Sequence, residues 1–165
     1  MKKLILILIF IPNFLFAGSI KAIGVKGNIE NVDRVIKILM YDNYYQPNKF
    51  KVKMNETIKF VVKNKGQLVH EFNIASKEMH LKHQPEMMMM VENEILMVNK
   101  IDKKKMHEVS KKNPSMAHSH SNSVLLAPGE SAELIWKFSN SIVIEAACNV
   151  PGHYEAGMIA KIDNL

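Results

Sequence analysis

Cysteine is nearly absent from this chain: Cys148 is the only one in 165 residues. Exported proteins usually carry cysteines in pairs. A lone one outside the cytoplasm is a free thiol, a route to dimers, or a metal ligand. Excess charge is scarce too. The formal net charge of +6 at pH 7 falls short of the basic footprint of a nucleic-acid binder. It suits an acidic partner, an anionic membrane surface, or simply a solvated lysine-coated face. No hydrophobic run is long enough to cross a bilayer: the stretch Leu4 to Phe16 is too short, and Pro12-Asn13 interrupts it. No internal repeat is found.

What is present begins with a leader pattern. Met1-Lys2-Lys3 is followed by the apolar run and then by Ala17-Gly18-Ser19, the layout of a secretory signal peptide. Residues 1–19 are therefore expected to be a signal peptide, cleaved near Ala17 or Ser19, with an uncleaved anchor as the alternative. No cysteine stands at that site to accept a lipid. Cleavage after Ala17 removes two lysines and lowers the net charge from +6 to +4. The mature chain is expected to be exported, with no stable membrane insertion.

From Ile20 onward the text alternates with a period of two. Ile36, Ile38 and Met40 alternate with Lys37, Leu39 and Tyr41; Phe50, Val52 and Met54 with Lys51 and Lys53. Ile58, Phe60 and Val62, and later Leu134, Trp136 and Phe138, repeat the pattern. One set then faces a core and the other faces water. Turn signals separate the runs at Gln46-Pro47-Asn48, Asn64-Lys65-Gly66, Pro128-Gly129-Glu130 and Asn140-Ser141. Short strands with frequent turns predict an all-β Greek-key sandwich, occupying residues 20–165.

Residues 77–122 break this rhythm. They hold eight of the twelve methionines and five of the seven histidines. The first half reads as a helix, with Pro85 suiting its first turn and Met87, Val91, Ile95 and Val98 on one face. The second half, from Lys103 to Asn122, reads as a flexible loop. The segment is expected to be an insertion between strands, too short and polar for a core of its own. Thioethers suit Cu(I) and clustered imidazoles suit Cu(II). The insertion is thus a candidate second copper-binding surface, drawn from Met79, His80, His83, Met87 to Met90, Met97, Met106, His107, Met116, His118 and His120. His80 and His83 would share a helical face, and His118-Ser-His120 would chelate from a loop. The plainer reading is methionines packed on the sandwich and solvated histidines.

The sharpest motif is Cys148-Asn-Val-Pro-Gly-His153-Tyr-Glu-Ala-Gly-Met158. It puts a thiolate, an imidazole and a thioether together with four residues in each gap. Ile142, Ile144, Ala146 and Cys148 share one side of a strand, and Met158, Ala160 and Ile162 share one side of the next. Both strands thus aim a donor inward, and Pro151-Gly152 turns the chain between them. A type 1 copper site takes a thiolate and two imidazoles near a plane, with a weak axial thioether. The second imidazole is assigned to His70, in the strand-like run Leu68 to Ile74. Singly, Cys148 could be core, His153 a turn residue and Met158 packing. Together they predict one copper ion held by His70, Cys148, His153 and Met158. Structural zinc prefers more thiolates or imidazoles and no thioether.

The spacing Cys-x4-His-x4-Met with an upstream strand histidine resembles the plastocyanin/azurin-type cupredoxins. The fuller text looks more like the periplasmic cupredoxins linked to bacterial copper tolerance. That text is Val69-His70-Glu71-Phe72, a Met/His-bearing insert, Leu126-Ala127-Pro128-Gly129-Glu130, Leu134-Ile135-Trp136-Lys137-Phe138 and the loop from Cys148 to Met158. The resemblance spans about Ile58 to Ile162. It implies a cupredoxin fold and mononuclear copper at those four positions. Many cupredoxins place Asn or Ser after the first histidine; this chain has Glu71, which opens the question of how the thiolate is tuned.

Two functions share this site. One is periplasmic copper tolerance by binding, buffering or redox handling of copper, with a copper-delivery partner. The other is soluble electron transfer to a respiratory partner docked at the edge of His153. An enzyme is not expected. Cys148 is flanked by Ala147 and Asn149, not by the histidines that lead to a trinuclear cluster in multicopper oxidases, and no activating pair marks a cysteine hydrolase.

Overall fold

The computed structural model describes residues 23–139 and 143–164. The expected signal peptide, residues 1–19, and the turn signal at Asn140-Ser141 lie outside the described residues. Among the described residues ten strands follow in chain order: β1 (Val25–Lys26), β2 (Arg34–Tyr41), β3 (Tyr44–Gln46), β4 (Lys49–Val52), β5 (Thr57–Asn64), β6 (His70–Ala75), β7 (Ser123–Leu126), β8 (Ser131–Lys137), β9 (Glu145–Ala147) and β10 (Ile159–Asn164). They form two five-stranded sheets, ordered β1-β8-β5-β2-β3 and β4-β10-β9-β6-β7. β2 runs parallel to β5 and β10 parallel to β4; the other pairs are antiparallel.

Period-two patterning builds the core between the sheets. Ile38, Met40, Ile58, Phe60, Val62, Leu134, Trp136 and Phe138 are buried from the first sheet. Phe72, Ile74, Ala146, Ala160 and Ile162 meet them from the second, with Cys148 and Met158 in the same cluster. Phe60 sits centrally, its ring within 5.3–6.3 Å of Phe50, Phe72 and Phe138. Met54 departs from the alternation. β4 ends at Val52, so Met54 falls in the turn before β5 and is 64% exposed.

The insertion between β6 and β7 is more ordered than its composition predicts. It carries helix α1 (Lys77–Glu92), helix α2 (Lys103–Ser110) and a 3-10 turn at Pro114–Ala117. Ser76 caps α1 by accepting from Met79 N at 3.3 Å. Because this cap starts the helix early, Pro85 lies in its interior, not its first turn. The apolar face is also different: Met87 and Met90 are buried, Val91 is exposed, and Val98, beyond the helix, is 74% exposed. Asp102 caps α2 by accepting from Lys105 N at 2.9 Å, so a loop expected from Lys103 starts as a helix. The insertion also has a small core. Met87, Met90, Ile95, Leu96, Ile101 and Met116 cluster with Val69 and pack on Leu125, Ala127 and Val150 of the sandwich.

Candidate metal centre

The antiparallel register Asn73↔Ala147 sets β6 beside β9. It brings His70, at the head of β6, level with the loop that leaves β9 at Cys148. That loop is shaped by short turns: His153 N donates to Val150 O at 2.9 Å and Gly157 N to Tyr154 O at 2.9 Å. Gly152 and Gly157 hold φ of 85° and 86°, a region that favours glycine. Met158 N then donates to His153 O at 3.0 Å, and Cys148 N to Met158 O at 3.2 Å. The loop thus closes back on Cys148.

Three of the four predicted ligands converge. Cys148 Sγ lies 3.3 Å from His153 Nδ1 and 4.0 Å from His70 Nδ1, and the three donor atoms fall within 4.8 Å of one another. The two imidazole rings are 5.0 Å apart. Metal bonds of about 2.1 Å to nitrogen and about 2.3 Å to sulfur, spread in a plane, set such donors about 3.8 Å apart. The observed separations straddle that value, so the donor set fits a small d-block cation. Met158 is buried in the same cluster as Cys148, and the loop hydrogen bonds fix its backbone against that residue.

Each ligand is braced. Asp42, in the turn between β2 and β3, accepts from His70 Nε2 at 2.8 Å and from the backbone of Gln67 and Leu68. A carboxylate on the far nitrogen sets the tautomer and leaves Nδ1 for a metal. Buried Asn64 fixes the turn before His70, donating to Leu68 O and Leu126 O and accepting from Gly66 N. Burial lowers the pKa of His70 and His153, so both imidazoles are neutral at pH 7. Burial pushes the Cys148 thiol up to about 12, although the N–H of Glu71, 3.3 Å from Sγ, opposes this.

Glu71 is the residue sequence reasoning marked as a departure, and the structure gives it a role. Its fully buried carboxylate accepts five hydrogen bonds: from Asn73, His83 and His118 on one oxygen, and from the side chain and backbone of Asn149 on the other. Burial acts to raise its pKa, but the bonds and charges of His118 and His83 outweigh it and hold the carboxyl well below the usual range. Glu71 thus ties β6 to the residue after Cys148.

The insertion's side chains divide. His83, His118 and His120 bring ligand atoms within 4.8 Å of one another. His80 is buried with Nδ1 3.2 Å from Asn149 Oδ1, so it supports the loop. His107 is exposed. Met87, Met90 and Met116 are packing residues of the insertion's core, while Met88, Met89 and Met97 face solvent. Sequence reasoning missed Asp42, Asn64, Asn149 and Glu86. Asp42 stands 28 residues from His70, and no spacing rule connects the two.

Beside His153, an open recess of about 710 Å³ is lined mainly by Leu68, Val91, Leu96, Met97, Val98 and Pro151. Its walls come from both the insertion and the ligand loop.

Comparison with known proteins gives a consistent picture. Residues 5–101 match the model of the cupredoxin-like domain, a span that holds His70 and stops before Cys148. The chain is 38% identical over 148 residues to the copper-resistant cuproprotein CopI of Pseudomonas aeruginosa, covering 86% of this chain and 82% of that one. It is 32% identical over 143 residues to the copper-resistant cuproprotein CopI of Vibrio cholerae, covering 86% and 71%. Among solved structures, reduced auracyanin of Roseiflexus castenholzii superposes with a TM-score of 0.56 at 17% identity, over 81% of this chain and 98% of that one. That likeness is one of fold.

Proposed function

The chain belongs to the cupredoxin family, and from that premise we propose that it binds one type 1 copper ion through His70, Cys148, His153 and Met158 and serves copper tolerance in the periplasm. The observation that carries the reading is the meeting of two neutral imidazole nitrogens and one sulfur at spacings that fit a metal. The relatives named copper-resistant cuproproteins support the tolerance role. Copper in a thiolate–imidazole set exchanges one electron between Cu(I) and Cu(II).

The chain's own residues prepare that chemistry. Asp42 holds the His70 ring by its outer nitrogen. The Glu71 N–H supports charge on Cys148 Sγ. The Glu71 carboxylate and Asn149 clamp the loop to β6. Donors fixed in this way move little between oxidation states, so redox handling or hand-over of copper needs little reorganisation. In this reading the protein binds and carries copper and is not an enzyme. No helix among the described residues is long and apolar enough to cross a membrane, and the periplasmic assignment rests on residues 1–19.

Cu(II) titration of the purified chain, followed by visible and electron paramagnetic resonance spectra, tests the reading. The expected result is an intense thiolate-to-copper band saturating at one ion per chain and lost in Cys148→Ser. A protein that takes up copper without that band would overturn it.

A second reading, electron transfer to a protein partner, draws on the recess beside His153, whose apolar walls suit a docking surface. Growth of a deletion strain separates the two. Sensitivity to added copper with intact respiration favours tolerance; a respiratory defect without copper sensitivity favours the carrier.

A further inference from the structure

The strongest feature outside the thiolate centre is the trio His83, His118 and His120. These residues come from two separate segments, helix α1 and the loop before β7, yet their rings lie 4.9–5.3 Å apart in all three pairings. Three imidazoles this close repel one another if all are protonated, and solvation of His118 is slight because its side chain is 3% exposed. Two carboxylates frame the trio. Glu71 Oε1 is 3.1 Å from His83 Nε2 and 2.9 Å from His118 Nε2. Glu86 Oε1 is 2.9 Å from His120 Nε2, and its Oε2 is 3.4 Å from His83 Nδ1. His118 and His120 are thus each held by a carboxylate through Nε2 with Nδ1 left for a metal, as metal-ligating histidines are. His83 meets carboxylates through both nitrogens and would exchange its longer contact, Nδ1 to Glu86 at 3.4 Å, for a cation.

We propose that His83, His118 and His120 form a second metal site for a divalent d-block cation, and that Glu71 transmits its occupancy to the thiolate centre. The donors are three imidazole nitrogens with carboxylates behind them, and imidazole without thiolate or thioether suits divalent zinc or copper over a monovalent soft ion. Two framing carboxylates, one fully buried, offset two positive charges. The link to Cys148 is short. The carboxylate that holds His83 and His118 belongs to the residue whose N–H points at Cys148 Sγ at 3.3 Å, and its other oxygen holds Asn149 N at 3.2 Å. A cation that draws the three imidazoles together pulls on this carboxylate and alters the hydrogen bond to sulfur. The transmission rests on the reading of Cys148 as the copper thiolate; the second site does not.

The test uses the full mature chain with its first site already filled by Cu(II). Zinc is added, and bound zinc and the visible band are followed together. The expected result is one zinc per chain, with a displaced thiolate-to-copper band. The double variant His118→Ala/His120→Ala is expected to keep the band, which reports its folding, and to lose the zinc. In Cys148→Ser the zinc equivalent that depends on His118 and His120 remains, so the second site is read even if the first reading fails. No zinc uptake, or uptake unchanged in the double variant, overturns the site. Uptake of Cu(I) with refusal of zinc and Cu(II) overturns its divalent preference. Zinc bound with an unmoved band overturns the transmission through Glu71.

Discussion

With its thiol pushed up to about 12 by burial, Cys148 carries a proton at pH 7 that an entering metal ion must displace. His70 and His153 have pKa values lowered from 6.5, so they contribute no proton above that value. Between pH 6.5 and about 12, copper binding then releases one proton, from sulfur. Apparent copper affinity is expected to rise about tenfold from pH 7 to pH 8, measurable by competition with a chelator of known affinity at each pH. Asp42 gives a second residue-scale prediction. Asp42→Ala frees the His70 ring and is expected to weaken copper binding by about 10–100-fold. Gly66→Ala acts on the same contact, because a Cβ there would overlap Asp42 Oδ1 and sit 2.9 Å from His70 Nε2. The loop donors were legible in sequence because Cys148, His153 and Met158 lie within one turn-forming segment. Asp42 was not: it is an ordinary turn aspartate until folding sets the β2–β3 turn beside the β5–β6 turn.

The insertion shows where pattern reading stops at the level of elements. Its composition marks it as distinct, and a helix in its first half was legible. The boundaries were not. Pro85 suits a helix start, whereas the Ser76 cap sets the start, and the inward stripe is His80, Met87 and Met90, not the face through Val91 and Val98. α1 is docked by charge as well as by packing. Burial acts to lower the His83 pKa, but bonds and charges from Glu71 and Glu86 raise it to about 10. Burial acts to raise that of Glu86, but His120 and His83 bring it down to about 2. The raised His83 gives stability that is complete below 6.5 and is lost as pH climbs toward 10. The lowered Glu86 gives stability present above 4.5 and lost as pH falls toward 2. The lowered His70, His80 and His153 add stability that is present above 6.5 and lost as pH falls below it, so without metal, thermal stability is expected to be greatest near pH 6.5. Melts in the presence of chelator should show a falling midpoint from pH 6.5 to 9, and His83→Gln should flatten that fall. An unchanged slope in His83→Gln would mean the alkaline loss comes from elsewhere.

At the scale of the whole molecule, period-two alternation foretold the sandwich because strands such as β2 and β8 have one face in water and one in the core, whereas β6 is buried along its whole length. What it could not foretell is the second core, since Met87, Met90 and Met116 gain their inward direction from Val69, Leu125 and Val150 of the sandwich. The proposed copper site joins parts that only the finished fold brings near: His70 and Cys148 are 78 residues apart in sequence. An unfolded chain can offer copper the thiol but not the assembled set, so copper favours the folded state. At free copper a hundredfold above the dissociation constant, the added stability is about 2.7 kcal/mol. At about 2–4 °C per kcal/mol for a chain of this size, the melting temperature is expected to rise by about 5–11 °C. Phe60→Ala provides the contrast. It removes a ring that is no ligand, at the centre of the core cluster that also holds Cys148 and Met158, and should cost about 3–5 kcal/mol. Copper should raise its melting temperature by a similar interval from a lower starting point. Cys148→Ser should instead start near the parent's metal-free value and gain much less from copper. If the Phe60→Ala gain collapsed along with the stability, the copper site and the sandwich core would share strain across the sheet, and the braces at Asp42 and Glu71 would not be enough to hold the site by themselves.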